Sequence, residues 1–128
     1  MPLWRHDYFQ VFTIVAEPLA HSPKITQWRR TMPTYIGLYK MTDQGIRSAK
    51  EAPGRVDQAI KGAEAMGGKV IGVYAVMGEY DYVAIGEFPS DQVAMAFALA
   101  LGSDGNVRTT TLKAFTKEEL AEIVKKLP

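Results

Sequence analysis

Lys69-Val70-Ile71-Gly72-Val73-Tyr74-Ala75-Val76-Met77 is followed, after Gly78-Glu79, by Tyr80-Asp81-Tyr82-Val83-Ala84-Ile85-Gly86-Glu87-Phe88. Both runs are rich in Val, Ile and Tyr, residues that suit a pleated, half-buried surface. The two residues between them fit a tight turn, which needs positive φ, and Gly78 takes that conformation without strain. The stretch reads as an antiparallel hairpin, and what flanks it decides the fold.

Upstream, Tyr35-Ile36-Gly37-Leu38-Tyr39 alternates at period two and predicts a first strand. Thr42 or Asp43 can cap a short helical turn, and Pro53 suits the first position of a longer helix. Val56, Ala59, Ile60, Ala63 and Met66 then recur along one helical stripe, and Gly67-Gly68 supplies a left-handed stop. Downstream, Pro89-Ser90 opens a second helix through Leu101, with Val93, Phe97, Ala100 and Leu101 on its buried side. A fourth strand is expected over Asn106–Ala114. Thr116 with Glu119 forms a capping box for a last helix, Phe115 and Leu120 stand at staple positions, and Leu120, Ile123, Val124 and Leu127 make its apolar face. The order implies an α+β, ferredoxin-like βαββαβ fold with a C-terminal helix: an antiparallel four-stranded sheet with helices on one face.

The uncovered face then carries the functional question. One alternate set of strand positions offers Tyr35, Gly37, Tyr39, Gly72, Tyr74, Tyr82 and Gly86, and the other offers Ile36, Leu38, Val83, Ile85 and Leu112. The aliphatic set is expected beneath the helices. The tyrosine and glycine set suits an interface or a pocket, since a phenol joins an apolar body to a polar tip and glycine lets a neighbour approach. Two such sheets packed through their tyrosine sides would enclose a small cavity in a two-fold dimer. β-propensity alone would also place tyrosines on strands, and a one-residue slip would invert any strand's contribution.

The segment before Met32 differs in character, holding Trp4, Trp28, His6, His21 and the proline-bearing run Glu17–Pro23. Tyr8–Ala16 could form a strand ending at Pro18. We read residues 1–31 as an N-terminal extension, disordered or adding an edge strand, and 32–128 as the domain. The extension makes a poor signal peptide, because Asp7 intrudes near Arg5 and Gln10 and Thr13 interrupt a short apolar run. No stretch approaches the ~18 apolar residues a spanning helix needs, so a cytoplasmic protein without a membrane partner is expected.

The chain has 128 residues, 47% hydrophobic and 23% charged, enough for one domain with a real core. Fifteen basic against fourteen acidic side chains leave a formal charge of +1, no footprint for nucleic acid. There is no cysteine, and no histidine from Met32 onward, so the common general base, nucleophile and metal ligands are missing from the domain. Asp43, Glu79, Asp81 and Glu87 are scattered without metal-binding spacing, and no glycine-rich loop opens a helix as a phosphate site would. No metal and no cofactor are expected. Lys113, Thr109 and Thr111 alternate onto one face of the fourth strand, where they could meet Tyr35 or Tyr39 or simply line a solvated edge. Asp81 could accept turn amides and Tyr80 could lie over the hairpin, or both could stand at a cavity mouth.

Gly78, Tyr80 and Asp81, together with Met32-Pro33-Thr34-Tyr35-Ile36 and Gly105-Asn106-Val107-Arg108-Thr109, resemble the GYD-domain family over Met32 to about Ile123. The resemblance implies a dimeric α/β-barrel arrangement and supplies no reaction. The same hairpin is more loosely similar to the effector-binding domain of leucine-responsive transcriptional regulators, although residues 1–31 are too short and proline-broken for a helix-turn-helix. The expected function is a homodimeric small-molecule-binding module with Tyr35, Tyr39, Tyr74, Tyr80, Asp81, Tyr82 and Lys113 as candidate ligand contacts. The alternative is a cofactor-free isomerase or monooxygenase of the dimeric α/β-barrel kind, acting on a small phenolic or quinone-like substrate.

Overall fold

The computed structural model describes residues 32–128. Expectations for residues 1–31, including the Tyr8–Ala16 strand, lie outside the described residues. Strand β1 (Thr34–Met41) leads through a short helix α1 (Asp43–Arg47) and a 3₁₀ turn (Ala49–Glu51) into helix α2 (Ala52–Ala65). Strands β2 (Lys69–Ala75) and β3 (Tyr82–Glu87) follow, then helix α3 (Asp91–Ser103), strand β4 (Val107–Ala114) and helix α4 (Lys117–Val124). The sheet order is β2-β3-β1-β4, with every neighbouring pair antiparallel, so the fold is the expected α+β, ferredoxin-like arrangement.

Local signals end the helices where the sequence places them. Thr42 and Ser90 accept hydrogen bonds from the Gly45 and Val93 amides as N-caps. At the end of α2, Gly67 has φ +81°, its amide donates to the Glu64 carbonyl, and the Gly68 amide donates to Ala63: a Schellman closure. The Thr116–Glu119 capping box forms reciprocally. The hairpin is looser than expected. Strands β2 and β3 stop at Ala75 and start at Tyr82, and Val76–Asp81 form the connection, closed by the Val76 amide on the Asp81 carbonyl (2.9 Å). Gly78 does carry a positive φ, +110°.

The expected assignment of faces is reversed. Tyr35 is buried in one cluster with Ala63 and Met66 beside α2, and with Phe88, Ala94 and Phe97 beside and on α3. The helices therefore cover the tyrosine side of β1. The register puts Tyr35 opposite Gly86 and Lys113, and Gly37 opposite Ala84 and Thr111. Glycine on this face serves close approach: the Tyr39 ring folds over Gly37, and the Lys69 carbonyl of β2 lies near Gly86. Ile36, Ile85 and Leu112 align on the opposite face, as do Leu38 and Val83. A β-bulge between Val70 and Gly72 then shifts β2 by one position, so Gly72 meets Ile85 and Tyr74 meets Val83. Gly72 and Tyr74 consequently lie with the aliphatic set, apart from Tyr35, Tyr39 and Tyr82.

Candidate functional site

The layer between sheet and helices is filled at one end and hollow at the other. At the filled end the Tyr35 ring meets Phe88 edge-on at 6.0 Å, and Phe88 lies 5.1 Å from Phe97. The Tyr35 hydroxyl donates to Asp91 Oδ1 at 2.5 Å, and Lys113 Nζ stands 3.2 Å from the same carboxylate. Burial, then the Asp91 hydrogen bond and charge, push the Tyr35 phenol far above its ordinary range. The Tyr35 bond and the Lys113 ammonium in turn pull the Asp91 carboxyl down. Asp91 follows the Ser90 cap as the first residue of α3, a place where a carboxylate also complements the helix dipole.

At the other end a cavity of about 500 Å³ opens between the sheet and the N-terminal half of α2. Helix α2 contributes Val56, Ala59 and Ile60, and helix α3 contributes Phe97 and Leu101. The floor is Val70, Val73 and Ala84 with the phenols of Tyr39 and Tyr82, which face each other across β1 and β3. One wall is tied across the fold. The Thr42 amide donates to the Asn106 carbonyl (3.0 Å), Gln44 Nε2 donates to Asn106 Oδ1 (3.0 Å), and a Cβ on Gly45 would strike the Asn106 carbonyl. Arg55 reaches from α2 into this wall, donating to the carbonyls of Ser48 (3.1 Å) and Gly45 (3.2 Å). Its charge thereby satisfies carbonyls at the end of α1.

Tyr39 lies between the cavity and a pocket of about 40 Å³, with its ring folded back over Gly37. Any Cβ at Gly37 would overlap the phenol, so glycine here makes room for a ring. Burial raises the Tyr39 phenol above its ordinary range, which keeps the hydroxyl protonated and able to donate. That hydroxyl has no hydrogen-bond partner among the described residues. No sealed side-chain oxygen or nitrogen is left without a partner, so the Tyr39 oxygen reaches the open space beside it.

Of the candidate contacts, only Tyr39 and Tyr82 line the large cavity. Tyr35 and Lys113 meet at the filled end through Asp91, and Tyr74 stands on the far face, 61% exposed. Asp81 ties the hairpin connection to β1: its carboxylate accepts the Met41 amide (2.7 Å) and its own amide donates to the Tyr39 carbonyl (2.8 Å). Tyr80 lies outside the cavity, with the Lys40 ammonium 5.8 Å from its ring. Sequence reasoning missed Arg55, Gln58, Ser103 and Asn106, all on the cavity lining. Asp91 was visible only as an acid in the first turn of a helix, with nothing to pair it to Tyr35. Among the described residues no group of three His, Cys, Asp or Glu side chains could hold a metal ion. No helix among them is long and apolar enough to cross a membrane.

Fold and lining together describe a ferredoxin-like α+β domain with a hollow under its helices. The chain belongs to the GYD-domain family, whose profile matches residues 35–124. It is 34% identical over 90 residues to the "Glutamine synthetase and cystathionine beta-lyase binding protein" of Thermus thermophilus, a match spanning 70% of this chain and 95% of that one. Among solved structures it is similar to the Leucine response regulatory protein of Mycobacterium tuberculosis, at 20% identity and a TM-score of 0.45. That match covers 66% of this chain, and the chain spans about half, 51%, of the regulator.

Proposed function

We propose that this GYD-domain protein is a homodimeric binding module that holds a small molecule in the cavity between its sheet and its helices. The observation that carries this reading is the cavity: about 500 Å³, largely apolar, with two phenols on its floor. Ligand pockets have this size and this mixture of apolar wall with few polar groups. The compartment thus lies within one chain, where the sequence suggested it between two sheets. Binding is favoured over turnover because a Tyr39 phenol held protonated is a hydrogen-bond donor and a poor base at neutral pH. A second copy of the chain would cover the opposite sheet face, where Ile36, Leu38, Val83 and Ile85 lie beside a half-exposed Leu112. An antiparallel sheet with one face in water normally shows polar residues there. On the same reading the domain spans 32–128 behind an extension, and the protein works in the cytoplasm, consistent with a cysteine-free chain.

Native mass spectrometry of the full chain in a metabolite mixture tests both halves. A dimer with bound small-molecule mass is expected, Ile85→Lys should yield monomer, and Ala59→Phe should lose the bound mass by filling the cavity. A wild-type monomer overturns the dimer, and bound mass that survives Ala59→Phe overturns the site.

A protein partner is the second reading. Helix α4 exposes Leu120, Ile123 and Val124 without one buried residue, and Leu127 just beyond it is exposed too, a stripe suited to docking. The Thermus relative is named for binding two enzymes. Purified glutamine synthetase should then retain this protein on a sensor surface and release Ile123→Lys. Equal retention of the two would remove the stripe from consideration.

A further inference from the structure

Resting on the cavity being a ligand site, we infer that its occupant is an uncharged ring compound presenting a carbonyl oxygen to the Tyr39 hydroxyl. Three features of the lining converge on that chemistry. Among the described residues its charged side chains are Arg55 and Asp104, opposite in sign, and the Arg55 guanidinium already serves the Ser48 and Gly45 carbonyls. Asp104 is engaged as well, so an anion or cation would enter a largely apolar hollow whose charged groups are already committed, at a desolvation cost. Next, Tyr39, Tyr82 and Phe97 place three aromatic rings around the space, so a flat ring can stack or meet an edge wherever it settles. Last, Tyr39 lines the cavity beside the second phenol, Tyr82, and its hydroxyl is a donor with no hydrogen-bond partner among the described residues. A carbonyl oxygen is the complement to a phenolic donor, and satisfying it recovers the cost of holding a polar group there. The volume would hold about sixteen waters at ~30 Å³ each, so two fused rings with a short substituent match its scale.

Tyr39 is thereby a specificity-determining residue, and its ring position is set by Gly37 beneath it. Three probes of similar size separate the terms: 2-acetonaphthone carries the carbonyl, 2-naphthoate carries a charge, and 2-ethylnaphthalene carries neither. Affinities would be measured by calorimetry on the full chain, and the place of binding by NMR shifts of Ala59, Ala84 and Leu101. Expected are binding of the ketone in the cavity, naphthoate at least tenfold weaker, and a loss of about fivefold for the ketone in Tyr39→Phe with ethylnaphthalene unchanged. Naphthoate bound as well as the ketone, or a ketone affinity indifferent to Tyr39→Phe, overturns the inference while the cavity remains a ligand site. Absence of shifts at all three positions with every probe overturns the cavity reading itself. Ala59→Leu guards against a folding artefact: it should weaken ketone and hydrocarbon alike while keeping the native amide spectrum.

Discussion

Tyr35 and Tyr39 stand four residues apart on one face of β1, under the same helical layer, and they have opposite surroundings. Tyr35 is 6% exposed, wedged against Phe88, with its hydroxyl bound to Asp91. Tyr39 leans over Gly37 at the edge of a hollow, with no partner for its hydroxyl among the described residues. The difference comes from what the helices bring. The start of α3 delivers Asp91 to one end and the start of α2 delivers Ala52, Val56 and Ala59 to the other, with the Phe97 ring of mid-α3 shared between them. Small residues on α2 leave a space that larger ones would fill. One end of the layer is packed and the other is left open.

That contrast can be broken most severely at the filled end. Phe88→Ala removes the ring joining Tyr35 to Phe97 and should cost about 3–5 kcal/mol in urea unfolding. A cost near that of an exposed substitution would mean the filled end is not the core. Gly37→Ala forces the Tyr39 ring off its seat and should cost about 1–3 kcal/mol by overpacking. It should also change the shape of the cavity, visible as altered NMR shifts at Ala84.

Tyr35→Phe should have a smaller effect that depends on pH. The Asp91 carboxyl lies below its ordinary 3.8 in the fold, so its contribution is present above that pH and fades as pH falls through the folded value. Tyr35 lies above its ordinary 10.0, so its contribution holds below pH 10 and is lost as pH rises further. Thermal melts of wild type should therefore drop at both extremes, and Tyr35→Phe should flatten both limbs. Unchanged limbs would dissolve the Tyr35–Asp91 pairing. The smallest effect belongs to Tyr39→Phe, expected within about 0.5 kcal/mol of wild type, because its hydroxyl makes no hydrogen bond among the described residues. A large destabilisation there would erase the distinction between the two tyrosines.

Much of the fold was legible because its signals are local. The Thr116–Glu119 box, the Ser90 cap and the Gly67 stop each act within one turn of chain, so the sequence placed them before any contact was known. The hairpin connection was misjudged for the opposite reason. Asp81 is held by Met41 and Tyr39 of another strand, and that long-range pairing draws Tyr80 and Asp81 out of the ladder. Of the candidate contacts read from the sequence, Tyr39 and Tyr82 line the cavity, and their side of the strands, expected to be uncovered, lies beneath the helices.

By itself, the amino-acid order determined which segments become strands and helices and where the helices are capped, since period and capping depend only on near neighbours. Tertiary structure alone decided which face the helices cover, that a bulge at Ile71 turns Tyr74 away from the other tyrosines, and that Asp91 meets Tyr35 across the layer. Those outcomes depend on how closely helices can approach a sheet, and that is a property of surfaces assembled from distant parts of the chain.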